Sequence, residues 1–372
     1  MTDRWAVQGE AVLLGDEADF IPAWLVVEDG LIVRAGTGRF PGSPDVTVCL
    51  PLAPGLVDIH CHGGGGAAFA DGPEAARTAL AAHLDRGTSA VVASLVTADW
   101  EQLMAQVEAL RPLVDGQRLV GLHLEGPWLA PGKRGAHDPA KLVSPTPEQV
   151  AQVVARADLV RQVTIAPELP GAMAAIAALS QAGVVAAIGH TEADRATTAA
   201  AIAAGARGAT HLFNAMPELA HRAPGPVLAL LSDPRVVCEL ILDGHHVDPE
   251  LALATLRLLG RRAVLVTDAM AAAGLGDGAY QLGGLPVTVR HGVARLTDDP
   301  GHAIAGSTIR LADAVALAVA GGLPLARAVA AATRQPADHL GLTTVGRIAV
   351  GQPAELVEFD WEGRFRRVLR FD

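Results

Sequence analysis

A set of side chains able to bind a metal ion or move a proton falls at the ends of apolar, strand-like runs. GLVDIH ends on His60, and His62 follows two residues later. RLVGLHLE ends on Glu125, GVVAAIGH on His190 and RAVLVTD on Asp268, while ARGATHLFN carries His211. Imidazole nitrogens and carboxylate oxygens suit Zn, Fe, Mn or Co. A carboxylate beside such a metal can take a proton from water and return it to a leaving amine.

Each position also has a plainer explanation. In extended chain His60 and His62 point to one face, so both can reach one metal while Cys61 points away; the other reading is a turn, helped by Gly63–Gly66. A carboxylate buried in a strand is costly unless it is paired or metal-bound, so Glu125 is a ligand, a helix cap or a partner of Arg134. His123 shares the side of Glu125 and is a candidate to orient the ligands. His190 and His211, taken singly, read as satisfied core or loop residues; beside His60 and His62 on one rim they read as ligands. Asp268 is a proton acceptor or a helix N-cap.

Residues so far apart meet only if a fold gathers strand ends. The 372 residues suffice for a large barrel and a small extra domain. Half are hydrophobic but only 3 % are aromatic, so the core must be Ala, Leu and Val. Eight runs read as buried strands: Gly55–His60, Ala90–Val96, Arg118–Leu124, Gln162–Ala166, Val184–Gly189, Gly208–Leu212, Val236–Leu242 and Ala263–Thr267. Ala-rich helical segments such as Pro73–Arg86, Thr146–Arg156, Met173–Gln181, Asp194–Ala204 and Pro249–Leu259 separate most of them. Apolar runs without alternation suit parallel strands covered on both faces. The expectation is an α/β fold, a (β/α)8 barrel over residues 54–340 whose strand C-termini share one face. Residues 1–53 and 341–372 are β-rich and are expected to pair as a small β-sandwich, with Asp29-Gly30 as a hairpin turn. Tyr280–Leu296 reads as a β excursion, and Gly306-Ser307-Thr308 as the cap of a helix over Thr308–Ala320.

A net charge of −11 argues against nucleic acid or an anionic membrane as partner. It leaves room for a small anion held by a local positive patch. Three cysteines without a CxxC pair read as cytoplasmic thiols. MTDRWAVQGE lacks a signal-peptide apolar run, and no long uncharged apolar stretch predicts a membrane span.

PGLVDIHCHGG, HLEGPWL, KRGAHDP, GHTEA, THLFNAMPE, DGHHVDP, VTDAMAAAG and AGST follow one another through the barrel segment. In these motifs the chain resembles the N-acetylglucosamine-6-phosphate deacetylases of the amidohydrolase superfamily. The resemblance implies a divalent metal, one or two per subunit, with Zn or Fe ahead of Mn or Co. Glu125, His190 and His211 would hold the main metal, and His60 and His62 a second. Strand four ends in Ala166-Pro167-Glu168, without the carboxylated lysine of many dinuclear relatives; Glu125 takes its place. Asp268 would be general base, then acid, and His137 would contact the sugar and the acetamido carbonyl. Asn214, Ala215, Arg222 and His246 would hold the phosphate in a homodimer.

Charge supports the phosphate assignment, because an acidic protein needs local donors to hold a dianion. Arg is suited to bidentate phosphate binding, yet Arg222 also reads as a solvated loop residue, and His246 beside His245 as a surface pair. Lys133 and Arg134 sit on a lid or a solvated loop. The implied activity is hydrolysis of N-acetylglucosamine 6-phosphate to glucosamine 6-phosphate and acetate. Rivals are an amidohydrolase acting on N-acetylgalactosamine 6-phosphate or a cyclic amide, and an inactive sugar-phosphate-binding paralogue. The intact Glu125, His190, His211 and Asp268 argue against the last.

Overall fold

The computed structural model describes residues 4–117, 119–301 and 303–371. One eight-stranded sheet forms the barrel: β1 (Leu56–Cys61), β2 (Thr88–Val96), β3 (Gly121–Glu125), β4 (Val160–Ile165), β5 (Val185–Ile188), β6 (Gly208–Ala209), β7 (Val237–Ile241) and β8 (Ala263–Val266), hydrogen-bonded in that order. The ladders from β2 to β8 are parallel. The ring is drawn together past the strand ends, where Asp268 N–H donates to His60 O at 2.8 Å and a parallel bridge joins Cys61 to Ala269. Every residue of β1, β3 and β8 is buried, as strands covered on both faces should be.

The expected strands are present within a few residues, apart from Arg118, which lies outside the described residues. β6 is shorter than expected. It stops at Ala209 because the backbone turns left-handed at His211 (φ 28°) and Phe213 (φ 81°), a conformation incompatible with a pleated strand.

Helices follow the strands in turn, at Pro73–Leu84, Trp100–Asp115, Pro147–Val154, Ala172–Gln181, Arg195–Ala204, Gly225–Ser232 and Pro249–Leu259. Their starts follow from local chemistry. Thr146 and Gln149 form a capping box, and the carboxylates of Asp194 and Asp248 accept first-turn N–H groups. After β8 the excursion is a three-stranded antiparallel sheet, Gly278–Leu282, Leu285–Arg290 and Val293–Leu296. Its inner face packs Leu282, Val287 and Leu296 with Val96 and Met270. The following helix begins at Leu311, not Thr308, and is opened by Arg310 with Asp313. Ser307 is not its cap; it serves the site described below.

Strands from both termini join in one seven-stranded sheet that includes Arg4–Val12, Ile21–Glu28, Leu31–Thr37, Leu52–Pro54, Leu356–Phe359 and Phe365–Leu369. Asp29 and Gly30 make the hairpin turn between Ile21–Glu28 and Leu31–Thr37, with φ of 48° and 76°. Val7, Leu25, Val27, Ile32, Leu52 and Leu356 form its core. The chain divides into two compact units. One holds the residues up to Asp58, His83–Ala90 and those from Arg310 onward; the other holds Ile59–Ala82 and Val91–Ile309. All residues of the site below belong to the second unit.

Candidate active site

The strand-end ligand candidates do converge. Glu125 Oε1 lies 3.3 Å from His190 Nε2 and 3.0 Å from His211 Nε2, and the two ring nitrogens are 3.0 Å apart. A second triangle adjoins it: His62 Nε2 is 3.3 Å from His60 Nε2, 3.3 Å from Asp268 Oδ1 and 3.1 Å from Glu125 Oε2. His60 Nε2 also lies 3.4 Å from both Asp268 Oδ1 and Glu125 Oε1. Glu125 therefore faces both triangles: Oε1 reaches His190, His211 and His60, and Oε2 reaches His62.

These separations fit a metal. Tetrahedral donors at about 2.1 Å from a cation stand about 3.4 Å apart. The ring tautomers fit too. His190 Nδ1 is 2.8 Å from Lys133 O, His62 Nδ1 3.2 Å from Ser94 O, and His60 Nδ1 3.0 Å from a carboxylate oxygen of Glu239. An acceptor on Nδ1 fixes the hydrogen there and leaves the Nε2 lone pair aimed inward. His211 Nδ1 has no such partner among the described residues; its backbone N–H is held instead, by Glu239 Oε2 at 3.2 Å.

The electrostatics agree. Burial alone would lower the pKa of His60 and His62, but the carboxylates of Glu125 and Asp268 outweigh it, raising His60 well above its usual value and His62 to about 9. Burial would raise Asp268, yet the charge on His60 and the hydrogen bond from His62 hold it below the ordinary carboxylate range. Asp268 is thus ionised and able to accept a proton. A metal would take over the role of those protons.

Asp268 is held in a left-handed conformation, φ 49°, and its backbone is clamped on both sides. Its N–H donates to His60 O, and its carbonyl accepts from Ser307 N–H at 2.7 Å. Ser307 Oγ donates to Thr267 O at 2.6 Å. Gly306 permits this approach: a Cβ there would stand 2.8 Å from Asp268 O. The AGST segment therefore braces the acid.

His137 is buried beside the ligands, its Nε2 3.4 Å from Glu125 Oε2. Its Nδ1 is 2.8 Å from Thr97 Oγ1 and 3.4 Å from Thr97 N, so Nδ1 accepts and Nε2 carries the hydrogen. Burial, only partly opposed by Glu125, lowers its pKa to about 4, making it a neutral donor near pH 7. His123 lies under the cluster with both ring nitrogens engaged, by Ser94 Oγ at 2.9 Å and Thr164 Oγ1 at 2.8 Å. Burial and the neighbouring His60 charge keep it neutral. Its ring meets that of His60 in a T-shaped arrangement, with centroids 4.6 Å apart.

His62, Glu125, His190, His211 and Asp268 line a cavity of about 350 Å³, together with Lys133, His137, Asn214, Ala215 and His246. His246 is oriented by Asp243, whose Oδ2 lies 2.7 Å from His246 Nδ1, and is no mere surface pair with the exposed His245. Arg222 does not line the cavity; it is exposed on the loop before Gly225–Ser232. Arg134 pairs with Asp299 at 3.2 Å rather than with Glu125. Glu168 bonds Thr191 Oγ1 and Glu192 N, away from the ligands. Glu239 and Thr97 were not singled out from the sequence. An acid inside the apolar run VVCELIL was the available signal for Glu239; Thr97 offered none.

A model of the amidohydrolase family matches residues 52–367. The chain is 39 % identical to an N-acetylgalactosamine-6-phosphate deacetylase of Shewanella sp. (strain ANA-3), over 84 % of this chain and 80 % of that one. It is 36 % identical to an N-acetylglucosamine-6-phosphate deacetylase of Vibrio furnissii, over 82 % and 78 %. In structure it is similar to a mutant N-acetyl-D-glucosamine-6-phosphate deacetylase from Mycobacterium smegmatis in complex with N-acetyl-D-glucosamine-6-phosphate, with a TM-score of 0.94, 42 % identity and coverage of 99 % and 98 %.

Proposed function

The chain belongs to the amidohydrolase family, and from that premise we propose that it hydrolyses N-acetylglucosamine 6-phosphate to glucosamine 6-phosphate and acetate. The observation that carries the chemistry is the joint placement of the Glu125–His190–His211 triangle and the ionised Asp268 at one cavity. The substrate follows from the 42 % identical structure that holds this sugar phosphate.

Glu125, His190 and His211 would hold one divalent metal, and His60 and His62, with Asp268 alongside, a second. Zn or Fe suits this imidazole–carboxylate set best, with Mn and Co as alternatives. When bound, such a metal supplies Lewis acidity, making an acyl carbonyl more electrophilic and water more acidic. Asp268 takes the proton from the attacking water and passes it to the amide nitrogen as the C–N bond breaks. His137, neutral and carrying its hydrogen on Nε2, donates to the acetyl oxygen as negative charge develops there. Asn214, Ala215 and His246 orient the phosphorylated sugar from the cavity wall. Arg222 lies outside the cavity lining of its own chain, and its proposed role is to hold the phosphate bound by a partner subunit, in a cytoplasmic homodimer.

The N-acetylgalactosamine epimer is a second reading, favoured by the 39 % identical Shewanella relative. Turnover of both sugar phosphates by one preparation separates the two. A tenfold or greater preference for the gluco epimer supports the first, and the reverse preference the second.

A further inference from the structure

Glu239 is a buried acid with no task in the reaction above. It sits in the middle of β7, 1 % exposed, and does not line the cavity. A carboxylate in such a place is costly unless its oxygens are engaged. Oε2 faces His60 Nδ1 at 3.0 Å and the His211 backbone N–H at 3.2 Å. Oε1 accepts from Gln162 Nε2 at 2.6 Å. One side chain thus reaches a ligand of each donor triangle, but it grips His60 by the ring and His211 only by the backbone.

The difference matters because His60 has two competing tautomers. With the hydrogen on Nδ1 and donated to Glu239, Nε2 presents a lone pair to the locus shared with His62. With the hydrogen on Nε2, the ring would instead donate to Asp268 Oδ1 or Glu125 Oε1, both 3.4 Å away. That alternative withdraws a ligand and occupies the proton acceptor. His190 and His62 draw their orientation from backbone carbonyls, which no side-chain change removes. We infer that Glu239, held by Gln162, is the positioning residue that commits His60 to the second metal locus, and that its loss weakens this locus while sparing the Glu125–His190–His211 locus. This rests on the metal reading of the site and not on the identity of the sugar.

The test is metal binding. Full-length wild type, Glu239→Gln and Glu239→Ala are stripped with chelator and titrated with Zn²⁺ by calorimetry against a competing chelator, with bound metal counted after dialysis. Wild type is expected to take up two equivalents. In the variants the first equivalent should bind within about threefold of wild type and the second about 10- to 100-fold more weakly, the usual cost of losing a group that orients a metal-bound histidine. Gln162→Leu, which frees Glu239 Oε1 but leaves its carboxylate, should show a smaller loss of the same equivalent, and it carries the test if the Glu239 variants do not fold. Wild-type affinity for both equivalents in folded variants, or equal weakening of both, would overturn the inference alone. A wild-type protein that binds no Zn²⁺ would overturn the metal reading with it.

Discussion

His190 and His211 face each other through Nε2 atoms 3.0 Å apart, in contact with the same oxygen of Glu125. His190 carries its hydrogen on Nδ1, toward Lys133 O, so its Nε2 offers only a lone pair. A cation between the rings reconciles this arrangement, and its removal should be felt by the whole barrel. Chelation is expected to abolish turnover and lower Tm by several degrees, with both restored by one added divalent metal. At a hundredfold excess over Kd a bound ion contributes about 2.7 kcal/mol, which for a chain of this size is a shift of about 3–4 °C. A Tm indifferent to chelator in protein shown to have lost its metal would contradict the ligand assignment.

Asp268→Asn keeps the shape of the side chain and removes its basicity. Turnover should fall by about 10²–10⁴, while the metal bound by Glu125, His190 and His211 stays in place. Measuring metal content and kcat on the same sample checks both halves, and near-normal kcat would refute the proton-transfer role.

Gly306 lies at φ 67°, and a Cβ there would meet Asp268 O at 2.8 Å. Gly306→Ala is therefore expected to cost about 2 kcal/mol from conformation and crowding together. It should also lower kcat through the displaced Asp268 carboxylate. Urea unfolding with kinetics on the folded variant tests this; a variant as stable and active as wild type would show that the approach is not constraining.

Asp243 gives a pH signature away from the metal ligands. Burial pushes its pKa up, but the His246 ring and the backbone N–H groups of His246 and His245 outweigh that and hold it at about 2. Because the folded pKa lies below the unfolded value, the stabilisation is complete above about pH 4 and lost as pH falls toward 2. Asp243→Asn should cost about 2 kcal/mol at neutral pH, and the gap to wild type should narrow as pH drops through 4. A gap unchanged between pH 7 and 3 would rule out this linkage.

Much of this was legible in the sequence because strand ends announce themselves. Singly, an apolar run closing on His60, Glu125, His190 or Asp268 has a plainer explanation; together they point to a shared rim, and those residues do meet. Their supports were less visible. Glu239 sits inside a strand rather than at its end, and only the cost of an acid in VVCELIL marked it. Ser307 resembles a helix cap in composition, but the clamp on Asp268 depends on how β8 meets the segment after the excursion, a long-range relation. Arg222 shows the opposite case: its residue type suggested phosphate, yet the loop carries it outside the cavity of its own chain.

The most direct measurement is acetate release from N-acetylglucosamine 6-phosphate by metal-stripped protein and by protein reloaded with Zn or Fe, with unphosphorylated N-acetylglucosamine alongside. Release only after reloading, with a strong preference for the phosphorylated sugar, is the expected result. Folded, metal-loaded protein that releases no acetate from the phosphorylated sugar would contradict the proposed deacetylation.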